Sequence, residues 1–247
     1  MADEPMDVDD SNTPTSSQGM AIQSQNSNAD LSTLSTELVR YFLFKQCNRT
    51  PIKRSDILKD VLFDYKKYFD KVMTLAKDEL LKVFGVEVVA ISRDQGDESI
   101  KEKTKTSAEN RYFLRNTLPT ENQNIINSTD HIEEYGLLTI ILAIIFMIGG
   151  TMKETDLVDK LQALLEFDKR KPHYVFGDIS KKIDQFVKTM YLHRTKELVN
   201  GEFIIEYSWG QRSRVEVDKM EILRLVSDLM DIPVESLTSQ YQEAMQQ

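Results

Sequence analysis

Twice along this chain, apolar residues spaced three and four apart over three successive segments give way to short runs rich in branched and aromatic residues. The first spacing marks helices that bury one face and the second marks strands, so each half has the order helix, helix, helix, hairpin. In the first half Leu34, Leu38 and Phe42 form one i,i+4 row and Val39 and Leu43 another, which gives a broad apolar face. Pro51 interrupts that pattern, and Ser55 stands as N-cap of a short helix carrying Ile57, Leu58, Val61 and Leu62. A third helix runs through Phe69, Val72, Met73, Ala76, Leu80 and Val83 to a stop at Gly85. Strands are expected over 86–91 and 111–114, with the charged residues 92–110 between them as a long mobile loop.

The second half repeats the order without obvious sequence identity. An apolar helix over 137–148 ends at Gly149-Gly150, and Thr151 with Glu154 makes a capping-box pattern ahead of Leu157, Leu161, Leu164 and Leu165. A third helix fits Ile179, Ile183, Phe186, Val187 and Met190, and strands fit 195–199 and 203–209 about the turn signal Asn200-Gly201. A further helix carries Ile222, Leu223, Val226, Leu229 and Met230 and ends at Pro233, and one more is expected after Val234. Both halves fit a winged-helix domain, so the expected architecture is two tandem winged helices, mainly α with small β-hairpin wings. The first thirty residues hold six acids and no Lys or Arg, too little apolar surface to offset ordering entropy. The divisions are therefore a disordered acidic tail over 1–30, a first domain over 31–118, a linker over 119–130 and a second domain over 131–247.

Several function classes are disfavoured. Cys47 is the only cysteine, which excludes an internal disulfide and fits a reducing, intracellular compartment. The acidic N-terminus has no apolar h-region, and the twelve apolar-rich residues 137–148 fall short of the roughly twenty that a membrane crossing needs. His131, His173 and His193 are scattered and there is no CxxC, so no metal site and no cofactor are expected. Paired catalytic carboxylates, a nucleophile with a base and a phosphate loop are all missing from the pattern, which argues against an enzyme.

What remains is binding. Phe42, Leu43 and Phe44 are consecutive, and at 100° per residue they cannot all face one core, so part of this edge is a candidate partner surface; a helix buried all round is the plain alternative. Lys53, Arg54, Lys66 and Lys67 form a basic stretch suited to DNA phosphates, with Lys59, Lys71, Lys101, Lys103, Lys105 and Arg111 nearby. Interleaved Asp56, Asp60, Asp64 and Asp70 suit a merely solvated face equally well. Lys181, Lys182, Arg212 and Arg214, with Lys188, are the rival DNA patch, although residues 129–247 carry 14 bases against 20 acids. Trp209 suits an interface anchor, a residue type enriched at hot spots, but the preferred reading is a packing residue whose N–H finds an acceptor.

Taken in order, Pro51 to Lys59, Gly136-Leu137-Leu138, Ile145-Phe146-Met147, Lys153-Glu154-Thr155, Phe176-Gly177-Asp178, Tyr207-Ser208-Trp209-Gly210 with Arg212, and Lys219 to Leu223 are distinctive. In these segments the chain resembles the MAGE homology domain family, over about residues 37–244, and within it the branch that serves a nuclear SMC-type DNA-repair complex. The resemblance implies a non-catalytic adaptor that binds a RING-type ubiquitin ligase through the first winged helix and a kleisin subunit through the second. The family's di-leucine pair on the first helix falls at Phe42-Leu43, a change of shape at its first position. The kleisin side falls on Leu223 and its helical neighbour Val226. Double-stranded DNA is a further candidate ligand. A winged-helix transcription regulator and a MAGE-type ligase adaptor outside any SMC complex stay open as alternatives.

Overall fold

The computed structural model describes residues 16–46, 49–91, 110–118, 132–168 and 170–246. Cys47, the first fifteen residues of the acidic tail, the expected loop over 92–110 save its last residue, the wing lysines Lys101, Lys103 and Lys105, the 119–130 linker and His131 lie outside the described residues.

The first winged helix comprises α1 (Ser16–Gln46), β1 (Ile52–Lys53), α2 (Arg54–Asp60), α3 (Phe69–Phe84), β2 (Val86–Ile91) and β3 (Arg111–Asn116). α1 starts well before residue 31, inside the stretch expected to be a disordered tail. Extending a helix already nucleated by packed residues fixes one residue per new hydrogen bond, which even a polar sequence tolerates. α1 lies on α3, and Leu38, Phe42, Val72, Ala76 and Leu80 are fully buried between them; burying each of the larger side chains, Ala76 apart, is worth about 1.5–3 kcal/mol. Gly85 closes α3 in the left-handed conformation, φ 62°. Ser55 does not cap α2: the helix begins one residue earlier, with the extended Lys53 at the N-cap, because Ile52–Lys53 is already paired as a strand. The sheet order is β1-β3-β2, with Ile52 opposite Tyr112 and Val88 opposite Leu114.

The second winged helix comprises α4 (Ile132–Ile148), β4 (Thr151–Lys153), α5 (Glu154–Leu165), α6 (Ile179–Lys188), β5 (Leu192–Val199), β6 (Glu202–Trp209), α7 (Gln211–Glu216), α8 (Lys219–Met230) and α9 (Thr238–Ala244). The Thr151 capping box is likewise replaced by a strand: Thr151 pairs with Ser208, and the N-cap is Lys153 with no side-chain bond. Asn200 (φ 52°) and Gly201 (φ 87°) join β5 to β6 through the left-handed conformations a tight hairpin requires. The sheet order is β4-β6-β5. Leu137, Ile141 and Ile145 of α4 are fully buried in the core that this sheet, α5, α6 and α8 share. Trp209 is a core residue, its indole N–H donating to the Leu142 carbonyl at 2.9 Å and its ring 6.0 Å from that of Phe146. Among the described residues no helix is long and apolar enough to cross a membrane.

Candidate interaction surfaces

At the C-terminal end of α1 the three consecutive apolar residues separate. Phe42 continues the buried Leu34–Leu38 row and is 0% exposed, with its ring edge-on to Tyr112 at 6.4 Å. It is therefore core, which corrects its assignment to a partner-facing edge. Phe44, about 200° round the helix, is 72% exposed, and Leu43 between them is half-buried.

α8 shows the same division. Leu223 is 0% exposed and belongs to the domain's own core, so it does not line an open groove as expected; Val226 is half-buried, while Leu225, Leu229 and Met230 face outward. The concavity lies to one side of Leu223. α7, the start of α8 and the segment through α9 enclose a groove of about 690 Å³, lined by Val215, Val217, Met220, Val234, Tyr241 and Met245 with Glu216, Asp218, Glu235 and Arg224. A 2.8 Å bond from Lys219 to Glu243 ties α8 to α9.

The basic candidates are not brought together as one patch. Arg54 lies over the Phe69 ring at 4.1 Å, which places it at the N-terminal end of α3. Lys53, Lys66 and Lys67 are exposed, the latter two over the rings of Phe63 and Tyr68. In the second domain Lys181 pairs with Asp178 at 3.2 Å, and Lys182 is taken up by Glu134 at 3.0 Å; Arg214 is exposed. Asp178 caps α6 by accepting from the Lys181 N–H, and this bond holds its carboxyl below the usual range.

Arg212 is no phosphate ligand. It is 6% exposed, donates Nε–H to Glu216 at 2.9 Å and Nη1–H to the Arg49 carbonyl at 2.8 Å, and lies over the Tyr191 and Phe113 rings. The Tyr191 hydroxyl donates to the second Glu216 oxygen at 2.6 Å. α7 is fixed to the turn after α6 by the Arg212 N–H on the Met190 carbonyl and by Ser213 Oγ on that of Tyr191. Sequence reasoning missed this cluster, although Arg212 and Glu216 at i,i+4 were visible in the segment after Trp209 and Gly210.

Tyr41, Tyr191 and Tyr207 each donate to a carboxylate, that of Asp60, Glu216 and Glu154 respectively. Burial and then the bond to Glu154 push the Tyr207 phenol up to about 12; burial and the Glu216 charge push Tyr191 up as well, and burial with Asp60 does so at Tyr41. A phenol whose folded pKa is raised contributes stability that is complete below its unfolded value of about 10 and is lost as pH climbs through the folded value. The thermal unfolding midpoint should therefore hold to about pH 10 as far as tyrosines govern it and then fall. Tyr191→Phe should make that fall shallower, and an identical alkaline profile in the variant would refute the assignment.

Residues 38–220 match the MAGE homology domain. The chain is 34% identical over 212 residues to the human non-structural maintenance of chromosomes element 3 homolog, covering 85% of this chain and 65% of that protein. It is 32% identical to the mouse protein of the same name, of which it spans 70%, and 31% identical to human melanoma-associated antigen D2, of which it spans 32%. A chain of a solved Nse1-Nse3-Nse4 complex superposes with a TM-score of 0.74 at 30% identity, over 88% of this chain and 98% of that one. On the order of its elements, its sequence and its fold, this chain belongs to the MAGE homology domain family.

Proposed function

We propose that this chain is the adaptor subunit of a nuclear SMC-type DNA-repair complex, holding a RING-type ubiquitin ligase on its first winged helix and a kleisin segment on its second. MAGE homology domain proteins are non-catalytic, so the chain acts through what it binds. The similarity to almost the whole of one chain of an Nse1-Nse3-Nse4 complex is the observation that carries this reading. Phe44 and Leu43 are the ligase contacts, with Phe42 supporting them from the core. The kleisin segment enters as an amphipathic helix in the groove beside α8, with Leu223 in the core beneath that helix and Val226 half-buried on it. Recovering the full chain from its source cells and identifying stable partners tests the whole. A RING protein together with a kleisin supports it. A RING protein alone points to a ligase adaptor outside any SMC complex, and neither one to a DNA-binding regulator.

Phe44→Ala removes an exposed anchor and no core volume. It should weaken ligase binding several-fold or more, since anchors of this kind are worth over about 1 kcal/mol, and leave the unfolding midpoint in place. Wild-type affinity in the variant would remove Phe44 from the interface.

Duplex DNA is a further ligand on this reading, supported by Arg54 on the first ring of α3 and by the exposed Lys66 and Lys67 in the turn that precedes that helix. Lys53 flanks them, while Lys181 and Arg214 remain the accessible members of the second-domain patch. Reversing Lys66 and Lys67 together to Glu should weaken binding alike across sequences and reduce the slope of log K against log salt by about two. An unaltered slope excludes these lysines.

A further inference from the structure

Phe113 is 4% exposed yet lies outside the first domain's core cluster, because Tyr112 and Leu114 on either side of it face that core and Phe113 faces the opposite way. What covers it includes the Arg212 guanidinium of the second domain, 5.2 Å from the ring centroid. The exchange is mutual: the Arg49 guanidinium of the first domain lies 4.8 Å over the Tyr135 ring of the second. Between the two, Arg212 Nη1 donates to the Arg49 carbonyl, a hydrogen bond spanning 163 residues of sequence. Arg49 itself takes a left-handed turn, φ 52°, three residues after α1 ends.

Glu216 belongs to two structures at once. One oxygen receives Arg212 Nε–H and the other the Tyr191 hydroxyl, and the same residue, with Val215 and Val217, lines the 690 Å³ groove. A group that enters the groove and shifts α7 or competes for the Glu216 carboxylate must change the orientation of a buried guanidinium, and that guanidinium grips the first domain. Arg212 has no alternative counter-charge among its named partners, so it cannot release Glu216 and keep its other contacts unchanged.

We propose that Arg212 and Glu216 form a relay that couples occupancy of the α7–α9 groove to the docking of the two winged helices. Closure of the seam stiffens the groove wall, and loss of the wall's carboxylate loosens the seam, with the same coupling free energy in both directions. Its biological meaning rests on the proposed function: the groove would take the kleisin segment, and Phe44 stands five residues before Arg49, so both partners would act on one latch. The relay itself requires neither partner.

The test therefore uses the full chain alone. Phe113→Ala removes the ring under Arg212 from the first-domain side, and hydrogen exchange is followed by mass spectrometry in both domains. Backbone amides of residues 211–222 in the second domain should exchange roughly tenfold faster, while those of α4 and α5 keep their rates. Phe113→Leu, which preserves burial without the ring, should show the same pattern at smaller size and covers the case in which the alanine variant unfolds. In the reverse direction, isosteric Glu216→Gln is placed in a Cys47→Ser chain carrying spin labels at Asp78→Cys and Lys160→Cys, and the interdomain distance distribution should broaden. Unchanged exchange over 211–222 in a folded Phe113 variant overturns the coupling, as does an unchanged distance distribution in Glu216→Gln. A failure to find a kleisin in cells would bear on the proposed function and leave these two measurements standing.

Discussion

Trp209→Ala should destabilise the second winged helix by about 3–5 kcal/mol, the range for deleting a large buried aromatic. The indole is 5% exposed at the end of β6, packs on Phe146 and donates to the Leu142 carbonyl, so the substitution leaves a cavity between the sheet and α4 as well as a lost hydrogen bond. Domains of this size are stable by about 5–15 kcal/mol, so such a loss shifts the urea midpoint far or abolishes the folded state. Trp209→Phe separates the two contributions: it retains an aromatic ring and loses the N–H, and its cost should be less than half that of alanine. Equal costs for the two variants would mean that the hydrogen bond dominates, and a cost under about 1 kcal/mol for alanine would contradict the core placement.

The regular parts of this fold were visible in the sequence because they are local. The period of α3, the stop at Gly85 and the Asn200-Gly201 turn each depend on a few adjacent residues, and the structure has all three where the pattern put them. β1 and β4 escaped notice because two or three residues are too short to display alternation, and their partners lie about sixty residues away on β3 and β6. Pairing of those short strands also displaced the helix starts at Ser55 and Thr151, where capping chemistry alone had placed them.

The partner surfaces were legible as an excess of apolar residues, and less so by position. Phe42 lies in phase with Leu34 and Leu38, so its burial follows from the i,i+4 row, whereas Phe44 is the residue that row leaves outside. On α8 the excess was real, but its inner members were Ile222 and Leu223 and its outer ones Leu225, Leu229 and Met230. Arg212 was assigned to a basic patch on charge alone. Its burial depends on Arg49 and Phe113 in the other domain, which no local pattern contains.

Gly210→Ala should cost about 3 kcal/mol or more, although its backbone is one any residue adopts, φ −73°. A Cβ there would lie 2.1 Å from the Met190 carbonyl oxygen and 2.7 Å from the Tyr191 carbonyl carbon, and both obstacles are main chain that cannot rotate aside. The same carbonyls receive the Arg212 and Gly210 N–H groups, so any retreat of the turn after α6 breaks the bonds that seat α7. Gly85 makes the contrast. Its added Cβ meets the Leu118 side chain at 2.6 Å, which can swing away, leaving the left-handed φ of 62° as the main penalty, about 1 kcal/mol. Gly210→Ala should thus be the more damaging of the two despite its ordinary dihedrals, and its damage should extend to Arg212 and the domain seam, while Gly85→Ala stays confined to the end of α3. Chemical denaturation of both variants decides the order, and the interdomain label distance decides the reach: a Gly85 variant as unstable as the Gly210 variant, or a Gly210 variant with an intact seam, would show that α7 is not held by this close approach.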